Sequence, residues 1–144
     1  ARPSDAGSMT YRHVHGVRYG EVDAQRVVYN AHYLAWCDDA VEEWLASLED
    51  DLDVAALGWD FMLRRAVIEW QGSTGLRDQI EVEVGVGRWG TASFDLWFTG
   101  RVADRPAFTA TITYVGVRLG STETMATPAE VRTLLGDPVA APPP

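Results

Sequence analysis

The sequence predicts an α+β fold in which one long helix covers one face of a curled antiparallel sheet. Three observations carry that prediction: one strand-like segment, then one long run of helical periodicity, then four strand-like segments in succession. The first strand is placed at residues 11–19, with Tyr11, His13, His15, Val17 and Tyr19 on one face. The helix is placed at residues 30–48, where Asn30, Leu34, Cys37, Val41, Trp44, Leu45 and Leu48 recur at spacings of three and four. Asp38, Asp39, Glu42 and Glu43 form its polar flank. After an acidic connector ending at Gly58, residues 61–71 are rich in β-branched and aromatic side chains. Ile80, Val82, Val84 and Val86 then alternate with Glu81, Glu83, Gly85 and Gly87, the pattern of a half-buried antiparallel strand. Turns are expected at residues 88–90 and 100–106, with Phe94, Leu96 and Phe98 between them and a last strand at 107–119. A short helix at 127–135 is expected, with Thr127 as its N-cap and Pro128 at its first position.

Length and composition narrow the function. The chain has 144 residues, enough for one domain, and 47% of them are hydrophobic, which excludes a disordered polymer. Residues 9–136 are expected to form that single domain, with 1–8 read as a disordered or cloning-derived tail and 137–144 as a Pro/Ala-rich C-terminal tail. The formal net charge is −9 and every one of the 12 basic residues is Arg, with no basic run, so nucleic-acid binding is not expected. No apolar run approaches the ~20 residues of a membrane span, and no signal peptide is visible. The single cysteine, Cys37, excludes an internal disulfide, and a cytoplasmic setting is expected. His13 and His15 stand two apart on a strand, but no third ligand stands at a recognisable spacing. No metal or cofactor is expected, and both histidines are read as surface or interface residues.

The segment from Gly20 to Leu34 joins the first strand to the helix and places Asp23 a few residues ahead of the helix start. Free N–H groups and the positive end of the dipole gather there. A carboxylate beside such donors can bind a ligand, take part in bond cleavage, or simply cap the helix. Cys37 lies in the apolar stripe and is read as core packing.

On these residues the chain resembles a known family. The run Asp23-Ala24-x-x-Val27-Val28-Tyr29-x-Ala31-x-Tyr33-Leu34 resembles the signature of hotdog-fold acyl-CoA thioesterases of the 4-hydroxybenzoyl-CoA thioesterase type. Phe61-Met62-Leu63-Arg64-Arg65, then Val67-Ile68-Glu69-Trp70, with Asp78 opening the next strand, is similar to that family's second and third strands. The resemblance implies a hotdog fold, a five-stranded antiparallel sheet wrapped around one long central helix. It also implies a homodimer or a homotetramer built as a dimer of dimers, with active sites at the subunit boundary. Asp23 would serve as nucleophile or general base toward the thioester carbonyl, and a backbone N–H near Tyr29 or Asn30 would polarise the carbonyl oxygen. Arg26, Val28, His32, Tyr33, Arg64 and Arg65 are assigned to the substrate. Arg26 and Gln25 depart from the glycines usual in the family, and Asn30 replaces the His of some members. Because Asn is neither acid nor base at neutral pH, proton transfer falls to Asp23, water or Tyr29. Glu21 stands where the family has a second acid.

The chemistry agrees with the resemblance, since thioester hydrolysis needs a carboxylate and donors aimed at the developing negative charge. No nucleophile-elbow Gly-x-Ser-x-Gly, P-loop or dinucleotide fingerprint is present. The leading expectation is hydrolysis of an acyl-CoA. The alternatives are an acyl carrier protein thioester, as in polyketide-pathway relatives, and a non-catalytic module that holds an acyl ligand.

Overall fold

Alternation along the strands decides which face of the sheet is buried. Ile80, Val82, Val84 and Val86 are fully buried, while Glu81 and Glu83 between them are only half-buried. In the computed structural model, which describes residues 9–144, these residues belong to the second of five strands in the sheet order. The reading of residues 1–8 lies outside the described residues. The elements are β1 (Thr10–Gly16), α1 (Ala31–Ser47), β2 (Trp59–Trp70), β3 (Gln79–Trp89), β4 (Ser93–Val102), β5 (Arg105–Arg118) and α2 (Ala129–Leu135). Short 3₁₀ turns at Tyr19–Glu21 and Ala55–Leu57 flank α1. The sheet order is β1-β3-β4-β5-β2 and every pairing is antiparallel, consistent with the hotdog fold.

α1 packs on the face that carries Ile80, Val82, Phe94, Leu96, Phe98, Phe108 and Ile112. Its buried stripe is Tyr33, Trp36, Cys37, Ala40, Val41 and Trp44, rotated from the expected one. Leu34 and Leu45 are only partly buried, and Asn30 is exposed. The rotation follows from two aromatic residues whose polar tips find partners inside. The Tyr33 hydroxyl donates to Thr74 Oγ1 at 3.0 Å and Trp36 Nε1 donates to Glu21 Oε2 at 3.0 Å. Cys37 is wholly buried, and burial foremost, then the neighbouring Asp38 charge, pushes its thiol pKa well up. It is a packing residue, not a thiolate.

Several expected boundaries move. β3 continues through Arg88 and Trp89, with a bulge between Val86 and Arg88, and the turn begins at Gly90, whose N–H donates to Ser93 O. β4 likewise continues through Gly100 to Val102, and the β4–β5 turn is Ala103-Asp104, at φ 47° and 67°. Two left-handed residues between paired Val102 and Arg105 make the mirror-image hairpin turn that suits strand twist. Gly100 serves packing instead: a Cβ there would meet the Phe108 ring at 2.1 Å. α2 starts at Ala129 with Pro128 as its N-cap, so Thr127 is not the cap, and its buried hydroxyl has no partner among the described residues. Beyond α2, Trp89 Nε1 donates to Gly136 O, Trp97 Nε1 donates to Val139 O, and Val139 N–H donates to Val86 O. Those bonds tie the chain end to the sheet as far as Val139.

The two sheet edges differ. On β1, His13 and His15 face α1 and are buried, not on the surface as expected. Each meets a carboxylate, His13 with Glu43 and His15 with Glu21. The β2 edge instead exposes Met62, Leu63, Val67 and Trp70, between 39% and 46% of their surface.

Candidate active site

The segment between β1 and α1 folds into a tight loop closed at its base. Val22 and Val28 form an isolated antiparallel bridge, and Tyr29 N–H donates to Glu21 O at 3.0 Å. Inside the loop, Asp23 N–H donates to Val27 O and Arg26 N–H donates to Asp23 O, both at 2.9 Å. Arg26 takes a left-handed φ of 66°, a conformation that favours glycine, the residue that the resemblance implies at this position. The loop rests on the β2–β3 connection, where Val28 N–H donates to Thr74 O at 2.8 Å.

Asp23 is half-buried. Its Oδ1 accepts Gln25 N–H at 2.8 Å, a local Asx turn, and its Oδ2 has no partner among the described residues. The carboxylate therefore shapes its own loop and does not cap α1. Among the described residues no other side chain caps the helix either: Asn30 has helical φ and ψ and makes no capping bond. The amides of Asn30 and Ala31 have no acceptor among the described residues, whereas the Tyr29 amide is taken by Glu21. Of the two positions expected to polarise a carbonyl, only Asn30 presents an open N–H, with Ala31 beside it. A carboxylate with a spare oxygen and a pair of unsatisfied donors at a positive helix end are the two parts that acyl transfer from a thioester needs.

The residues expected around this loop separate into several environments. Tyr29 is 56% exposed, with its ring edge-on to His32 at 6.2 Å between centroids. Val28 and Tyr33 are core residues, at 3% and 2% exposure. Tyr33 meets Trp70 edge-on, which brings the end of β2 to the start of α1. Arg64 and Arg65 lie far along β2 from that end, at a bulge that shifts the register between Leu63 and Arg65. Beyond the bulge Arg65 pairs with Thr113, which donates to Asp95 Oδ1 at 2.8 Å on the sheet face away from α1.

Glu21 has the richest set of partners. Its Oε1 accepts Arg18 N–H at 2.8 Å and its Oε2 accepts Trp36 Nε1–H at 3.0 Å, while His15 Nε2 reaches both oxygens at 2.8 and 3.0 Å. Burial foremost would raise its pKa, but the bonds from His15, Arg18 and Trp36, with the His15 charge, outweigh it and hold the carboxyl below the usual range. The strand pattern places His15 on the inward face. Nothing in the helix periodicity pointed to Trp36, which lies outside the apolar stripe read from spacing. Thr74 was equally invisible, because a threonine in a Gly-rich connection carries no local signal of burial.

Among the described residues no helix is long and apolar enough to cross a membrane, and no group of three or more His, Cys, Asp or Glu side chains is arranged to hold a metal ion.

The model of the thioesterase-like superfamily matches residues 17–135, and the chain belongs to that family. It is a thioester hydrolase by class. No curated protein matches it. Among solved structures, it is similar to the dynemicin thioesterase studied for polyene binding, at 27% identity and a TM-score of 0.76, covering 88% of this chain and 94% of that one. It is similar in fold to a 1,4-dihydroxy-2-naphthoyl-CoA thioesterase from Synechocystis, at 20% identity, a TM-score of 0.75 and coverage of 88% and 95%. A gentisyl-coenzyme A thioesterase shares the fold at 18% identity, a TM-score of 0.76 and coverage of 87% and 99%.

Proposed function

We propose that this thioester hydrolase acts on an acyl-CoA, with Asp23 as nucleophile or general base and the amides of Asn30 and Ala31 as donors to the carbonyl oxygen. The observation that carries the reading is the uncapped start of α1 directly behind the Asp23 loop. An open N–H pair at a helix terminus stabilises an oxyanion without reorganisation, and losing one such donor typically costs about 3 kcal/mol of barrier. The acyl-CoA class is supported by the naphthoyl-CoA and gentisyl-CoA thioesterases that share the fold. Tyr29, His32 and Arg26, all on or beside the loop, are the residues proposed to meet the substrate.

The proposed assembly is a dimer, or a dimer of dimers, formed through the β2 edge, with the sheet curled around α1 as a central helix. Its support is the apolar exposure of Met62, Leu63, Val67 and Trp70 on an edge that no strand among the described residues pairs. Trp70 touches Tyr33, so pairing there would bring a second chain to the site. Sedimentation at micromolar concentration is expected to give a dimer or tetramer, and a monomer throughout would remove this part. A cytoplasmic setting suits the free thiol of Cys37.

A second reading, hydrolysis of a polyketide-type chain on an acyl carrier protein, is favoured by the similarity to the dynemicin thioesterase. Turnover of matched CoA and carrier-protein thioesters separates the two. The central experiment is a thioester panel from short aliphatic to aromatic to long chains, with Asp23→Asn as control. The variant is expected to lose about 10²-fold or more in turnover. Wild-type turnover by that variant on the best substrate would remove Asp23 from the chemistry.

A further inference from the structure

The carboxylate of Glu21 is enclosed by donors from three parts of the chain: His15 on β1, the Arg18 amide in the connection, and Trp36 more than a turn into α1. Its side chain is 14% exposed and that of His15 is 9% exposed. The Arg18 amide and the Trp36 indole are fixed donors, one to each oxygen, which suits an ionised carboxylate; toward that carboxylate His15 Nε2 carries the hydrogen. The same residue's main-chain carbonyl accepts Tyr29 N–H at 3.0 Å. Its neighbour Val22 closes the loop by bridging Val28, and Asp23 follows at once.

From this arrangement we infer that Glu21 is a positioning residue for hydrolysis: anchored through His15 and Trp36, it sets the start of α1 against the Asp23 loop. The inference rests on the role proposed above for Asp23 and the Asn30 and Ala31 amides. Trp36 is rigidly part of α1 and Glu21 is part of the loop, so the Trp36–Glu21 bond fixes the helix relative to the loop from below. The Tyr29–Glu21 bond does so from the backbone side and decides which amides remain open. Displacement by about 1 Å of groups that must meet one carbonyl costs on the order of 10²-fold in rate. A glutamine at position 21 would turn its NH₂ toward the Arg18 or Trp36 N–H, or toward His15, so one donor must move away.

The test compares Glu21→Gln, Trp36→Phe and Asp23→Asn on the best acyl-CoA of the panel, with amide resonances and melting curves recorded for each. Glu21→Gln is expected to lower kcat about 10- to 100-fold with KM changed less than about threefold, and to shift the Asn30 and Ala31 amide resonances in a folded protein. Trp36→Phe keeps an aromatic ring in the core and removes one donor. It is expected to move kcat and the same two resonances in the same direction, by a smaller factor. Folded Glu21→Gln with wild-type kcat, or with a change confined to KM, overturns the inference while Asp23→Asn remains inactive. If Glu21→Gln does not fold, unchanged kcat and unchanged amide resonances in Trp36→Phe overturn it instead. If Asp23→Asn is fully active, the proposed chemistry fails; unmoved Asn30 and Ala31 resonances in Glu21→Gln then overturn the positioning role separately.

Discussion

Glu21 and Asp23 stand two residues apart in one connection, and their carboxylates live in opposite circumstances. Glu21 meets a histidine, an indole and a backbone amide, which engage both of its oxygens. Asp23 accepts one amide of its own loop and keeps Oδ2 without a partner among the described residues. The first is held ionised by its neighbours, with both oxygens already engaged by donors of the chain itself. The second keeps a free oxygen in the loop that precedes the open amides of the helix start. Two acids of the same charge are thus divided by the number of donors around each: the first suits the bracing role proposed for it, and incompleteness makes the other a candidate for chemistry.

The largest expected effect tests the second half of that contrast. Asp23→Ala is expected to lose about 10²-fold or more in kcat while stability falls by only ~1 kcal/mol or less, the worth of one exposed turn bond. Glu21→Ala is expected to show the reverse weighting in urea denaturation, with a loss of about 2–3 kcal/mol from stranding His15, Trp36 and the Arg18 amide. Equal destabilisation by the two substitutions would erase the distinction.

Acid sharpens the same comparison. The folded-state pKa of Glu21 lies below its ordinary value, so its contribution is fully present above the ordinary glutamate range and is lost as pH falls through the depressed value. Wild type is therefore expected to lose stability more steeply than Glu21→Gln across that acidic window, and parallel curves in chemical denaturation would contradict an ionised, donor-held carboxylate. The smallest effect belongs to Arg26, held at a left-handed φ of 66°. Arg26→Gly is expected to relieve up to ~1 kcal/mol of strain, partly offset by the greater freedom of glycine in the unfolded chain. A rise in KM for that variant, with stability unchanged, would show that the guanidinium meets an anionic part of the substrate.

Much of this architecture was legible before any coordinates. Strict alternation from Ile80 to Val86 announces a strand with one buried face, and the 3–4 spacing from Leu34 to Leu48 announces a long helix, because each pattern is a local consequence of backbone geometry. The Asp23 segment was legible too, through the motif that surrounds it. The turns were not: Ala103 and Asp104 adopt left-handed angles with no glycine between them, while Gly100, read as turn, is needed inside β4 to admit Phe108.

By itself, then, the sequence determined the order of the elements, the helix and the presence of an acid ahead of it. Periodicity and residue type act over a few positions and need no knowledge of what lies across the fold. Only the tertiary structure decided that Tyr33 and Trp36 turn inward, that His15 is buried, and that Glu21 and Asp23 have different surroundings. Those outcomes depend on partners drawn from distant segments, Thr74 for Tyr33 and both β1 and α1 for Glu21. A hydrogen bond between residues far apart in the chain leaves no periodic trace in either segment.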